Sequence, residues 1–304
     1  MKPGPLGIYL RGLAMGAADL VPGVSGGTIA LITGIYPRLL RAIVSADFDA
    51  LGLLLRGRLT ALWYRLDGGF LASLAAGIIT AIFVLAGTLH WLLESYPQPL
   101  WAFFSGLILA SGLMLIRDEV RLVQAHRILS FALGVGAAVW ISLLPPVVPE
   151  AGQIGVLIAG AIAICAMILP GISGSFMLVL MGMYGPILSA LRNLDWMLLG
   201  TFAAGCALGL LSFSRLLDWL LRQYRALTLA FLTGVLMGSL MAVWPWRVAV
   251  VVSSGDSDWT TRTQPVLPFS GHIAEPQLGI CLLAAGLGLA LVWALERLAR
   301  QYRL

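Results

Sequence analysis

The sequence predicts an all-α polytopic membrane protein made of two inverted-topology repeats, each a broken or re-entrant helical hairpin followed by three transmembrane helices. Three observations carry that prediction. The 304 residues are 60% hydrophobic and only 11% charged, with a mean hydropathy of +0.94, which is more apolar residue than a soluble domain can enclose. A glycine-rich interruption, "LVPGVSGGTIALITGIY" from Leu20 to Tyr36, returns downstream as "ILPGISGSFMLVLMGMY" from Ile168 to Tyr184. Arginine, finally, is distributed to one side of the expected spans.

Crossing about 30 Å of hydrocarbon takes about 20 apolar residues. Runs of that kind lie at 70–93, 99–116, 128–146, 198–216, 227–246 and 278–296, and two longer, interrupted runs lie at 6–40 and 153–191. The first apolar run carries Arg11 and Asp19 and lacks a small-residue cleavage site, so it reads as a membrane element and not as a removable leader. Cys165, Cys206 and Cys281 are odd in number, widely spaced and set in apolar runs, which points to small buried residues and to no disulfide framework or metal site. No metal or other cofactor is expected. The basic residues are single arginines flanking apolar segments, so the net charge of +5 speaks for membrane orientation and against nucleic acid.

The two interruptions match at Pro22/Pro170, Gly23/Gly171, Ser25/Ser173, Gly26/Gly174, Gly34/Gly182 and Tyr36/Tyr184, six identities in seventeen positions at an offset of 148. The same offset pairs Asp47 with Asp195 and Gly52 with Gly200. An offset of 128 then aligns Ala75-Ala76-Gly77 with Ala203-Ala204-Gly205, Trp91 with Trp219, Tyr96 with Tyr224, Phe103 with Phe231 and Gly106 with Gly234. One integral membrane domain thus divides into repeat 1 (1–152) and repeat 2 (153–304). Three spans after each hairpin is an odd number, so the copies are expected to lie inverted. With the N-terminus inside, sixteen Lys and Arg fall on the inner face and only Arg192, Arg247 and Arg262 outside, and both termini are cytoplasmic.

Inverted repeats with broken helices mark secondary transporters, whose site lies where the breaks converge. Non-helical backbone is tolerated at membrane depth only where protein buries it or it lines a cavity. Pro22 and Pro170 end the preceding half-helices, and the glycines after them permit tight backbone. Ser25 and Thr28, with Ser173 and Ser175, supply hydroxyls at the starts of the next helices, where free N–H groups favour an anion. The candidate site is therefore Gly23, Ser25, Gly26, Gly27 and Thr28 with Gly171, Ser173, Gly174 and Ser175, and Arg11 as the cation within the first broken run. The bland alternative is close helix packing through small residues.

These residues also resemble a known family, the bacterial polyprenyl-phosphate transporters, formerly a membrane domain of unknown function. The resemblance rests on "RGLAMGAADLVPGVSGGTIALITGIYPRLLRAI" (Arg11 to Ile43) and "LPGISGSFMLVLMGMYGPIL" (Leu169 to Leu188), and the repeat layout extends it over nearly the whole chain. It implies a flippase in the bacterial cytoplasmic (inner) membrane that returns undecaprenyl phosphate, or a related anionic polyprenyl lipid, from the outer to the inner leaflet for recycling of the cell-wall lipid carrier. Which motif residues touch phosphate is inferred from the residues themselves.

Asp19, an acid three positions before Pro22, is expensive in an apolar run and is expected to bind a coupling proton or to position Arg11. A coupling proton or cation is expected as a partner because inward movement of a phosphate opposes an inside-negative potential at ~2.3 kcal/mol per charge per 100 mV. Tyr36 and Tyr184, like the two prolines, are grouped with Asp19 as coupling or structural residues. Arg38, Arg41 and Arg192 are expected at headgroup level, either guiding phosphates or setting orientation, and Asp47 and Asp195 as helix caps. A small-anion transporter is the alternative function. An intramembrane serine hydrolase, suggested by "GVSGG", needs a base that His90, His126 and His272 are poorly placed to provide. No His-and-Arg constellation for a lipid-phosphate phosphatase occurs in one loop. The segment Arg247 to Pro276 reads as an outer loop, a lid or a passive connection, with a strand or span end at Val248–Val252.

Overall fold

A computed structural model describes residues 4–19, 25–120, 122–144, 152–170, 173–253, 259–270, 273 and 275–301. The first broken run starts with α1 (Pro5–Asp19), whose proline sits where a missing N–H costs nothing. After Leu20 to Val24, which fall outside the described residues together with Pro22 and Gly23, come α2 (Gly26–Ile32) and α3 (Tyr36–Val44), bent by 117° from one another. The sequence marks one interruption in this run; the structure has a second turn, at Gly34, whose φ of 73° is a left-handed conformation that side chains resist. The N–H of Ile35 closes the turn onto the Ala30 carbonyl at 3.0 Å.

Next come α4 (Phe48–Leu55) and α5 (Leu59–Arg65), and then three longer helices: α6 (Gly68–Ser95), α7 (Pro97–Leu115, continued by a π turn over Ile116–Val120) and α8 (Ala125–Leu143). The second half repeats the broken run as α9 (Gln153–Ile168), α10 (Gly174–Leu180) and α11 (Tyr184–Asn193). Its Gly182 has φ 64° and its Met183 N–H reaches the Leu178 carbonyl at 2.8 Å, the same turn 148 residues on. The half continues with α12 (Trp196–Gln223) and α13 (Arg225–Gly238, ending in a 3₁₀ turn over Ser239–Met241). A hairpin of β1 (Arg247–Ser253) and β2 (Trp259–Pro265) follows, then α14 (Leu278–Gln301). The strands are antiparallel, with Arg247 opposite Pro265 and Ser253 opposite Trp259, so the Val248–Val252 alternation belongs to a strand.

Among the described residues, four stretches are long and apolar enough to cross a membrane: Gly68–Leu85, Pro97–Asp118, Ala125–Leu143 and Trp196–Gln223. The bent α2–α3 pair makes a fifth if it counts as one span. Gln153–Ile168, Arg225–Met241 and Leu278–Ala294, the last within the 24-residue α14, are shorter apolar stretches, so of the six expected uninterrupted spans the one at 227–246 falls just short by length. The chain is a multi-pass membrane protein.

Packing follows the repeat. Helix α1 lies along α6 and α9 along α12, while α8 lies along α13 and α7 along α14. Small residues set these approaches, because without a hydrophobic drive between helices in lipid, association rests on close van der Waals contact. A Cβ at Gly12 would strike the Leu74 carbonyl and one at Gly77 the Tyr9 carbonyl; Gly160 and Gly205 stand in the same relation to Phe202 and Leu157. Gly106 and Gly288 seat α7 and α14 on each other, as Gly234 and Gly134 seat α13 and α8. The third long helix of each half is therefore packed on the second long helix of the other. Even the T-shaped Trp91–Tyr96 contact, with ring centroids 5.5 Å apart, recurs as Trp219–Tyr224 at 5.7 Å.

One alignment shifts. Asp47 accepts from the Ala50 N–H at 3.0 Å and Asp195 from the Leu198 N–H at 3.1 Å, so both are helix caps as expected. Helices α6 and α12, however, are each 28 residues long and start just after Asp67 and Asp195, which makes Asp67 the counterpart of Asp195. The 20 residues between the two offsets are the α4–α5 hairpin, which the second half lacks.

Candidate functional site

The last four carbonyls of an α-helix have no donor within it. At the end of α9, before buried Pro170, those carbonyls are served from the other half of the chain. The Ser25 hydroxyl lies 3.2 Å from the Met167 carbonyl and 3.4 Å from that of Leu169, and the Tyr36 hydroxyl donates to the Ile168 carbonyl at 3.0 Å. Ser25 and Tyr36 are each only 1% exposed, so both donors are buried against the end of α9. Gly27 completes the contact: a Cβ there would sit 2.9 Å from the Ile168 carbonyl and 3.2 Å from that of Met167. The two interruptions are thus brought together, one against the other.

The start of α2 is already occupied by the chain's own groups. Ser25 is its N-cap, in extended backbone, and accepts from the Gly27 N–H at 3.1 Å. The Thr28 N–H donates to the Ser25 carbonyl at 2.9 Å, and the Gly26 N–H donates to Asp19 Oδ1 at 2.6 Å. A carboxylate therefore stands where the sequence pattern called for an anion, held by a helix N-terminus that favours negative charge. Buried Thr28 lies one residue further along.

Arg11 donates from Nη1 to the Gly7 carbonyl at 2.9 Å, one turn back along α1, and its Nε is buried without a partner. Eight residues, about 12 Å of helix, separate it from Asp19, and the described residues contain no ion pair between the two. Of the two expectations for Asp19, positioning Arg11 gives way to capping α2.

In the second interruption Pro170 and Ser173 are buried, and Ser173 holds the extended N-cap position of α10. A Cβ at Gly174 would lie 2.8 Å from the Ala163 carbonyl, so that glycine seats α10 against α9. Gly171 and the Ser175 side chain lie outside the described residues. Tyr184 is 46% exposed and does not mirror Tyr36. The repeat is symmetric in backbone and asymmetric in the groups that cross between halves.

Arg38 is fully engaged. Its guanidinium binds Asp67 at 2.6 and 2.9 Å and lies 4.4 Å over the Phe70 ring, which pins α3 to the start of α6. Arg41 is exposed, and the Arg192 side chain lies outside the described residues. Asp67 is a functional partner that the motif does not mark, although its place just before a long apolar run is the available signal. The Met167, Ile168 and Leu169 carbonyls carry no sequence signal at all.

Among the described residues no group of three or more His, Cys, Asp and Glu is arranged to hold a metal. Cys165 and Cys206 sit at the α9–α12 contact, facing the carbonyls of Gly209 and Gly160. The Ser25 hydroxyl donates to backbone carbonyls, which is packing chemistry.

Residues 15–258 match the sequence model of an undecaprenyl phosphate translocase-like family. The chain belongs to this family. It is 45% identical over 301 residues to a polyprenyl-phosphate transporter of Vibrio cholerae serotype O1, covering 97% of both chains. To a polyprenyl-phosphate transporter of Staphylococcus aureus it is 32% identical over 269 residues, covering 80% of this chain and 90% of the relative. No solved structure matches. The matched stretch includes Ser25, Tyr36 and the whole of α9.

Proposed function

We propose that the protein transports undecaprenyl phosphate from the outer to the inner leaflet of the bacterial cytoplasmic membrane, with the two halves inverted across the bilayer and both termini cytoplasmic. The names of the two relatives support the lipid, and the sixteen-to-three distribution of basic residues supports the orientation. The observation that carries the reading is the meeting of the interruptions through Ser25, Gly27 and Tyr36 at the end of α9. In transporters of this architecture that junction is where substrate binds.

The phosphate is taken at Gly23, Ser25, Gly26, Gly27 and Thr28 from one side and Gly171, Ser173, Gly174 and Ser175 from the other. In the conformation described, Asp19 holds the Gly26 N–H. Substrate phosphate, at about −1.5 to −2 charges, displaces that carboxylate. Protonation of Asp19 weakens its hold and brings a positive charge along with the anion, which offsets the ~2.3 kcal/mol per charge per 100 mV opposing inward movement. Arg11, with its unpartnered Nε, is the nearest cation on α1 to follow the phosphate. Arg41 and Arg192 meet it at headgroup level.

The test is sidedness-resolved uptake of labelled undecaprenyl phosphate into proteoliposomes under an imposed proton gradient. The Ser25→Ala/Ser173→Ala variant is expected to stay folded and lose most transport. Transport at the wild-type rate by the variant would remove these hydroxyls from the site. Protection from thermal unfolding by sulfate as strong as that by undecaprenyl phosphate would favour a small-anion transporter.

A further inference from the structure

The 20 residues that distinguish the first half from the second have a definite shape. Helices α4 and α5 are joined by Gly57, whose φ of 66° makes the turn, closed by N–H bonds from Gly57 to the Leu54 carbonyl (3.0 Å) and from Arg58 to that of Leu53 (2.9 Å). The open end is clasped by Arg65, which binds Asp47 at 2.5 Å and Asp49 at 3.2 Å. That hydrogen bond holds the Asp47 carboxyl below the usual carboxylate range. The Trp63 ring lies across Gly68, where a Cβ would collide with it, and so docks the hairpin on the first turn of α6.

What the hairpin presents outward is the informative part. Leu51, Leu54, Leu55 and Leu59 are 50–79% exposed, and Trp63 and Tyr64 are exposed beside them. Leaving a leucine in water forgoes about 1.5–3 kcal/mol each, so a row of four needs an apolar neighbour. Arg56 and Arg58 flank the turn and are exposed, and the two aspartates are already taken by Arg65. The tip therefore offers two cations among leucines. Immediately after the hairpin, α6 begins its apolar stretch at Gly68, so the hairpin adjoins the N-terminal end of a helix long and apolar enough to cross a membrane.

We propose that α4 and α5 form an interfacial hairpin that lies in the headgroup layer, sinks its leucines toward the acyl chains and holds anionic phospholipid through Arg56 and Arg58. Apolar residues on one face with arginines that extend to phosphates is the pattern of helices lying on a membrane, and Trp and Tyr are at home at that depth. The charge complement selects the anionic lipid of the surrounding bilayer over a neutral one. Which leaflet this is follows the orientation proposed above; the depth of the hairpin does not depend on it.

The test uses the full chain with Cys165, Cys206 and Cys281 replaced by alanine and a spin label at Leu55→Cys, in nanodiscs of phosphatidylcholine with or without phosphatidylglycerol. A label at Leu129→Cys, on exposed α8, serves as the lipid-facing reference. The Leu55 label is expected to be more accessible to oxygen than to a water-soluble nickel chelate, at about 5–10 Å below the headgroups, and deeper in the anionic discs. Arg56→Gln/Arg58→Gln should shift the balance of inserted and water-exposed label about thirtyfold toward water in anionic discs, with the Leu129 reference unchanged. A Leu55 label that the nickel chelate reaches freely in both discs would overturn the proposal. Equal depth in neutral and anionic discs with both arginines present would overturn the selection of anionic lipid.

Discussion

At the scale of single residues, Tyr36 and Asp19 do what secondary structure alone leaves undone. Tyr36 serves a carbonyl that the end of α9 orphans. In the Tyr36→Phe variant the part-buried Ile168 carbonyl loses its donor, at a cost of about 1 kcal/mol or more, and the unfolding temperature in detergent should fall. An unchanged midpoint would mean that another donor reaches Ile168. Asp19 caps α2 through the Gly26 N–H, and an asparagine can accept the same bond while losing its proton equilibrium. Asp19→Asn is therefore expected to fold normally and to transport with a flat pH profile; a profile like that of wild type would end the proton role assigned to this residue.

At the scale of elements, the glycines decide how near two helices come. Gly77 between α6 and α1 and Gly205 between α12 and α9 occupy equivalent contacts, each facing a backbone carbonyl with no room for a Cβ. A carbonyl in a packed helix cannot swing aside as a side chain can. Valine at either position should cost at least about 1–3 kcal/mol through overpacking, lowering the yield of monodisperse protein by similar amounts in the two variants. Gly136, whose Cβ would meet nothing within 4 Å, is the control expected to accept alanine without loss. A large effect at Gly77 with none at Gly205 would show that the two contacts, though geometrically alike, are not energetically equivalent.

At the scale of the whole molecule, the halves are interlocked. Each lends its third long helix to the second long helix of the other, α8 to α13 and α14 to α7. Neither half buries that surface by itself. Chains 1–152 and 153–304, expressed together, should assemble and co-purify, while each alone should give no monodisperse species. A well-behaved isolated half would show that the interlock is dispensable for folding.

The apolar runs, the doubled interruption and the arginine asymmetry were all legible in the sequence, because membrane thickness dictates run length and backbone strain dictates where glycine and proline stand. The family followed from the same motif residues. Local chemistry also marked Ser25, Asp47 and Asp195 as caps. The second turn at Gly34 and Gly182 was harder to see, since glycine inside an apolar run reads equally as a packing residue until its φ is known. What only the tertiary structure decided was partnership. Arg38 answers to Asp67, Ser25 and Tyr36 answer to carbonyls more than 130 residues away, and Asp19 answers to the backbone of the helix that follows. A side chain announces in sequence that it can donate or accept, but a backbone carbonyl is the same at every position, and which ones lack a donor depends on where helices end and what packs against those ends.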